Sequence, residues 1–149
     1  MLRKTVLCLF IACFASVRSI EIPDGLIDET AAACMKETNV DKAKLSEMFD
    51  DDFHMKYPHD VTSKFMECAV GKVDYFHEDG GFNKDVITKD LAKSLPNFVA
   101  DKIDNEKAAE MAKEIYHECG TPKGENSIEK VANFHNCVMV ELKKKKTAA

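Results

Sequence analysis

Four cysteines are the residues of this chain with the clearest chemistry: Cys34, Cys68, Cys119 and Cys137. Each lies in a stretch of helical periodicity, and none has a second Cys or a His close enough in sequence for a tight metal site. A zinc site with four Cys ligands is therefore disfavoured, because structural zinc sites usually take their ligands in closely spaced pairs. Two disulfide bonds between helices agree better with this layout. Four cysteines permit three pairings, and the residues alone do not choose among them.

Residues 1–19 have the features of a secretory signal peptide. Arg3 and Lys4 form a basic start, residues 5–17 are apolar apart from small hydroxyls and two cysteines, and residues 17–19 offer small side chains to a signal peptidase. Cleavage after Ala15 is the alternative. The apolar run is too short to span a bilayer, and no later stretch approaches about 18 apolar residues. We therefore expect a secreted, extracellular protein without membrane insertion, in which residues 20–149 form one helical domain.

Removal of residues 1–19 changes both the thiol count and the charge. Cys8 and Cys13 leave with the signal peptide, so an even set of four thiols enters an oxidising compartment, where disulfides persist. The 21 basic and 26 acidic residues of the whole chain become 18 and 26, which is a net charge of −8 with His neutral. A surface of this sign repels nucleic acid and anionic membranes. We expect no nucleic-acid partner.

The hydrophobic periodicity is helical along the whole mature chain and predicts an all-α domain of about six helices, with no strand. Pro at a first helical turn, Asp or Asn at N-caps and Gly or Pro beyond the ends mark the boundaries. The predicted helices occupy residues 23–39, 41–49, 58 to the break at 80–81, 83–96, 105–119 and 127–146. The lysine run at 143–146 ends the sixth helix, where cations complement the helix dipole.

The remaining polar clusters do not have the spacing of a known site. The acidic and histidine-containing loop at 50–59 lacks a characteristic arrangement of metal ligands. Residues 74–81 superficially resemble a calcium loop, but Phe76 and His77 occupy positions that need oxygen donors. No nucleophile elbow or paired-carboxylate signature occurs. We predict no catalytic residue, no metal, no cofactor and hence no enzyme.

The chain resembles the insect odorant-binding proteins of the pheromone-binding and general odorant-binding family. Members of that family have a signal peptide, six helices and normally six cysteines, paired first with third, second with fifth and fourth with sixth. The four mature cysteines match the first, third, fourth and sixth, whereas Lys64 and Ile128 stand at the second and fifth positions. The resemblance covers the whole mature chain. It implies the four-cysteine "minus-C" type, which lacks one bridge.

A disulfide pairing and a ligand cavity are further implications of the resemblance. The pairing joins Cys34 to Cys68, between the first and third helices, and Cys119 to Cys137, between the fifth and sixth. In the family, the cavity is lined from the first, third, fifth and sixth helices. Counted from the matching cysteines, these lining positions fall on Ile27, Met66, Val70, Tyr75, Tyr116, Phe134 and Val138.

The apolar helix faces add further candidates for the interior. Ile87, Leu91, Met111 and Ile115 lie on such faces, although each of them can equally be an ordinary core residue. We include them in the predicted ligand-binding set. Tyr75 and Tyr116 could each offer a hydroxyl to an alcohol, an aldehyde or an ester, or could simply keep the phenol in water at the rim.

Two classes of function follow. The first is a secreted carrier that binds and solubilises a small hydrophobic ligand, such as an odorant, pheromone or lipophilic metabolite, in sensillar lymph or hemolymph. Apolar burial yields about 25 cal/mol per Å², which suffices for micromolar binding after the cost of immobilisation. The second is a secreted structural or signalling protein with a filled core and a protein partner. The resemblance favours the carrier and allows a membrane chemoreceptor as its partner.

Overall fold

The computed structural model describes residues 20–147, and the regular structure in that range is helical apart from two isolated β-bridges. The predicted all-α fold is confirmed, with six α-helices in the described part of the chain. Single 3-10 turns at Asp24–Leu26 and Leu95–Asn97 precede the first helix and follow the fourth. The predicted signal peptide lies outside the described residues. The helices are α1 (Glu29–Thr38), α2 (Lys42–Ser46), α3 (Asp60–Lys72), α4 (Lys84–Ser94), α5 (Asn105–Cys119) and α6 (Ser127–Thr147).

Aspartate side chains define the starts of three helices. Asp28, Asp41 and Asp104 each accept a hydrogen bond of 2.8 Å from the backbone N–H three residues further on. Such a cap satisfies one of the unpaired N–H groups in the first helical turn. At the other end of α1, Asn39 adopts the left-handed conformation with φ 55°, which is typical of a helix C-terminus.

Three helices are shorter than the periodicity predicts. The first was expected from Pro23, but residues 24–26 form only a 3-10 turn, and α1 begins after its Asp28 cap. The second was expected to reach residue 49, but α2 ends at Ser46. The third was expected to reach the glycines at 80–81, but α3 ends at Lys72 because Val73 is extended, with ψ 132°. The chain then forms a turn in which the Asn83 N–H donates to the carbonyl of Tyr75 at 2.8 Å. This turn brings Tyr75 beside α4.

Two disulfide bonds connect the helices. Cys34–Cys68 joins α1 to α3 and Cys119–Cys137 joins α5 to α6, each with a Cα–Cα distance of 5.7 Å. This is the pairing that the resemblance implied, and it is confirmed. Each bridge fastens one part of the domain, because the first lies among helices α1 to α3 and the second among α5 and α6.

The apolar core has two parts. The first part lies between α1, α2, α3 and the start of α6, and it contains Leu45, Met48 and Phe65. The second lies between α4, α5 and α6, and it contains Leu95 and Ile115. Helix α5 packs chiefly against α4, so that the apolar stripe of α5 is covered by its neighbours. A cavity separates the two parts, and side chains from both of them line it.

A double substitution tests the proposed absence of the family's third bridge. Helices α3 and α6 pack against each other, with Lys64 exposed on α3 and Ile128 partly buried against the first core part. We expect Lys64→Cys with Ile128→Cys to form a third disulfide and to stabilise the protein by about 4 kcal/mol, because it closes a long loop. The melting temperature is measured with and without reductant. The difference between these two values should be on the order of 10 °C larger in the double variant than in the wild type.

The two single-cysteine variants are the controls for this experiment. Each adds a thiol without a partner and should leave the melting temperature close to that of the wild type. Two free thiols in the double variant under oxidising conditions would contradict the alignment of Lys64 and Ile128 with the missing cysteines.

Candidate functional site

A cavity of about 370 Å³ lies between the two parts of the core. Its wall comes from the 3-10 turn before α1, from α1, α3, α4 and α6, and from the loop that joins α2 to α3. The size and the apolar wall are typical of sites for small molecules. The apolar lining residues are Leu26, Ala31, Phe49, Phe53, Met55, Phe65, Met66, Ala69, Ile87, Leu91, Phe98, Val131, Phe134, Val138 and Met139.

Aromatic rings form one wall of the cavity. The ring centroids of Phe49 and Phe53 lie 5.1 Å apart, and Phe53 meets Phe98 edge to face at 5.5 Å. Both distances are in the range of favourable aromatic pairs. This wall depends on the position of the loop at residues 49–55, because Phe49 and Phe53 belong to it.

Two successive residues of α6 hold this loop in place. Nε2 of His135 donates to the carbonyl oxygen of Phe53 at 2.7 Å. Asn136 makes two bonds with Met55, accepting from its N–H at 2.7 Å and donating to its carbonyl at 3.1 Å. Phe53 itself has a left-handed backbone with φ 64°, which is uncommon for a side chain of this size. The contacts with α6 maintain a loop conformation that the chain would not favour alone.

The acidic residues at 50–52 shape the same loop. Oδ1 of Asp50 accepts from the N–H groups of both Asp52 and His54, each at 2.9 Å. Within the described range 20–147, no group of three or more His, Cys, Asp or Glu side chains is arranged to hold a metal ion. Asp50 therefore serves the loop backbone in this structure.

Burial affects the protonation of His135. Loss of contact with water lowers the pKa of His135 below its ordinary value of 6.5. The hydrogen bond to the Phe53 carbonyl and the charge of Asp50 act in the opposite direction, while His54 adds to the lowering. Neutral His135 can donate its single N–H to the loop, as the observed contact requires.

The other end of the cavity is polar. The hydroxyl of Tyr75 donates to Oδ2 of Asp90 at 2.8 Å, and both residues line the cavity together with Asp28, Lys93 and Ser94. Burial, followed by the negative charge of Asp90, raises the pKa of Tyr75 well above its ordinary value of 10. Tyr75 is therefore a neutral phenol at physiological pH.

The structure brings six of the eleven predicted ligand-binding residues to the cavity. The turn before α4 contributes one of them, α3 one, α4 two and α6 two. These six are Met66, Tyr75, Ile87, Leu91, Phe134 and Val138.

The three predicted residues of α5 do not line the cavity. Ile115 is only 1% exposed and lies inside the second part of the core, and Met111 packs against it. The ring of Tyr116 lies near Phe134, with centroids 6.4 Å apart, but does not line the cavity. The physical reason is that α4 and α6 cover the apolar face of α5. Helix α4 takes the place in the wall that the resemblance assigned to α5.

Ile27 and Val70 also lie away from the cavity. Each is partly buried and packs against the first part of the core. Ile27 lies between the 3-10 turn and α1, where the backbone is not helical, so the helical spacing used to place it in the lining does not apply. Neighbouring residues, Leu26 and Ala69, line the cavity instead.

Sequence reasoning missed the aromatic loop and every residue of the polar end except Tyr75. Phe49 was assigned to a core-facing helix and Phe53 to an acidic loop, so neither was expected in a ligand site. The sequence contains one signal, which is three large apolar residues, Phe49, Phe53 and Met55, around the polar run at 50–52. Asp90 carried no signal, because a single aspartate on a helix is most often exposed.

Comparison with known proteins identifies the family of this chain. The family model described as PBP/GOBP family matches residues 25–141, which cover all six helices except the end of α6. No curated protein and no solved structure matches the chain. Among the described residues, no helix combines the length and apolar character needed to cross a membrane. The chain therefore belongs to the PBP/GOBP family of carrier proteins for small hydrophobic molecules.

Proposed function

We propose that this protein is a secreted carrier that holds one small hydrophobic molecule in the cavity between α1, α3, α4 and α6. The ligand would be an odorant, a pheromone or a similar lipophilic metabolite, carried through sensillar lymph or hemolymph to a membrane chemoreceptor or to another site of uptake. The observation that carries the proposal is the apolar cavity of about 370 Å³. Membership in the PBP/GOBP family supports it.

The energetics of such a carrier follow from desolvation. A ligand that buries a few hundred Å² of apolar surface gains several kcal/mol at about 25 cal/mol per Å². Loss of translational and rotational freedom offsets part of this gain. The result is micromolar binding, which corresponds to about 8 kcal/mol and permits both loading and release. The cavity also argues against the alternative, a structural or signalling protein with a filled core.

The proposal includes removal of residues 1–19 as a signal peptide. The mature chain would then contain only the four cysteines that form the two observed bridges. This is the four-cysteine type of the family, with Lys64 and Ile128 in place of the missing pair. Secretion agrees with the two disulfides, because such bonds persist in oxidising compartments.

Two neighbouring alanines of α1 test whether the cavity is the binding site. Ala31 lines the cavity, whereas Ala32 is exposed on the same helix. Ala31→Phe should place a ring in the cavity and weaken the binding of the fluorescent probe N-phenyl-1-naphthylamine by at least about tenfold. Ala32→Phe adds the same ring outside the cavity and should bind the probe as the wild type does. Fluorescence titration measures both, and circular dichroism verifies that both variants are helical.

The outcomes of this experiment are distinct. Equal affinity of the two folded variants would show that the probe binds elsewhere. No enhancement of probe fluorescence by the wild type would contradict the carrier function and favour a filled core.

Protonation of His135 should weaken the structure around the cavity at acidic pH. Because burial lowers the pKa of His135 in the folded state, the unfolded chain binds more protons below about pH 6.5. The free energy of unfolding should therefore fall as the pH drops from 6.5 towards the lowered pKa. His135→Gln, whose amide can still donate to the Phe53 carbonyl, should flatten this dependence. Urea unfolding at a series of pH values measures it.

His77→Gln is the matched control for this test. His77 is exposed and does not line the cavity, so its substitution should leave the wild-type pH dependence in place. An unchanged pH dependence in His135→Gln would show that other groups cause the acid sensitivity.

A further inference from the structure

Two hydroxyl groups at the polar end of the cavity, those of Tyr75 and Ser94, have already donated their hydrogens. A Tyr hydroxyl has one hydrogen, and that of Tyr75 is given to the Asp90 carboxylate at 2.8 Å. The hydroxyl of Ser94 likewise donates to the backbone carbonyl of Asp90 at 3.0 Å. What these two groups can still offer to a ligand is their oxygen lone pairs. The bond to the carboxylate is charge-assisted and costly to break.

The charged groups at this end add further acceptors. The Asp90 carboxylate is partly buried and accepts only one bond from Tyr75, so it retains capacity for another donor. Asp28 contributes a second carboxylate, one oxygen of which caps α1. Lys93 contributes an ammonium group, but its side chain is exposed at the rim. Asp28 is exposed, as Lys93 is, so the partly buried Asp90 is the charged group of this end that solvent screens least. The lining contains one further hydroxyl, that of Thr30.

We propose that this polar end selects ligands whose head group donates a hydrogen bond, namely an alcohol or an amine on an apolar body. Tyr75 and Asp90 are the residues that determine this specificity. The inference deepens the proposed function and rests on it, because it concerns the head group of a ligand held in the same cavity. It also changes the role of Tyr75, which was expected to offer its hydroxyl hydrogen to an alcohol, aldehyde or ester.

Other head groups meet an unfavourable environment at the same place. A carbonyl oxygen of an aldehyde or ester would face the oxygens of Tyr75 and Asp90 without a hydrogen between them, and its side-chain donors in the lining would be only the Thr30 hydroxyl and exposed Lys93. A ligand carboxylate would in addition meet the negative charge of Asp90, which exposed Lys93 offsets only in part because solvent screens its charge. A hydroxyl or an amine can donate to Asp90 or to the Tyr75 oxygen and leaves no buried acceptor unpaired.

A matched series of straight-chain ligands tests the proposal on the wild-type protein. Decanol, decylamine, decanal and decanoate have the same apolar chain and differ in the head group. Each is used to displace bound N-phenyl-1-naphthylamine. Decanol and decylamine should bind about tenfold more tightly than decanal, because one hydrogen bond to a charged group is gained. Decanoate should be the weakest of the four.

Substitution of Asp90 separates a role in specificity from a role in folding. Asp90→Asn keeps the size of the side chain but replaces one acceptor by an NH₂ donor, so decanal and decanoate should bind more tightly than in the wild type. The preference for decanol over decanal should fall to about twofold or less. A general loss of structure would weaken the binding of all four ligands. A gain of affinity for decanal therefore indicates a change in specificity. Asp85→Asn removes the same charge from an exposed position of α4 and should retain the wild-type order.

The results that would overturn the proposal are specific to it. Equal affinities of decanol and decanal in the wild type would show that the polar end does not discriminate between head groups. Tightest binding of decanoate would show that Lys93 determines the selectivity instead. Should Asp90→Asn not fold, Tyr75→Phe removes the hydrogen that Asp90 accepts and leaves the carboxylate open to the ligand. The preference for decanol over decanal should then be kept or increased, and its loss would contradict the proposal. Failure of the probe itself to bind would instead overturn the proposed function.

Discussion

A cavity in the middle of a small domain has to be maintained against the tendency of apolar side chains to close it. Side chains that border an empty space lose van der Waals contacts, and the total stability of such a domain is only about 5–15 kcal/mol. The two disulfides close loops of 34 and 18 residues, for which the chain-entropy model gives about 3 to 4 kcal/mol each. They lie on opposite sides of the cavity and fix the helices of each side. The cavity therefore depends on covalent bonds as much as on packing.

The distribution of polar groups follows from the same arrangement. The apolar side of the cavity is bounded by the loop at 49–55, whose backbone polar groups are satisfied by His135 and Asn136 of α6. The polar side is bounded by Tyr75 in the turn before α4, by Asp90 within α4 and by Asp28 at the N-cap of α1. A ligand with an apolar body and one polar head would thus have a defined orientation. Its head would lie at Tyr75 and Asp90 and its body against the phenylalanine rings.

The sequence was sufficient for the helices but only partly for the site. Periodicity located all six helices, because each buries one apolar stripe, and four of them begin at an Asp or Asn side-chain cap. They did not show which stripe faces the cavity. Ile115 and Leu91 have equivalent patterns, yet α4 and α6 cover Ile115, while Leu91 borders the cavity. The packing of the helices on each other decides which stripe faces the cavity, and the local sequence does not encode that packing. The aromatic loop was missed for a related reason, since its position depends on bonds to residues about eighty positions away.

Three successive residues of α6 connect to other parts of the molecule. His135 and Asn136 bind the loop at 49–55, and Cys137 is bonded to Cys119 of α5. Successive residues of an α-helix differ in direction by about 100°, so these three connections fix the rotation of α6 about its own axis. An insertion or deletion of one residue between Ser127 and His135 would rotate all three side chains relative to the preceding turns. Length changes in this chain should therefore be excluded from the first half of α6 and tolerated in those loops between helices that do not line the cavity.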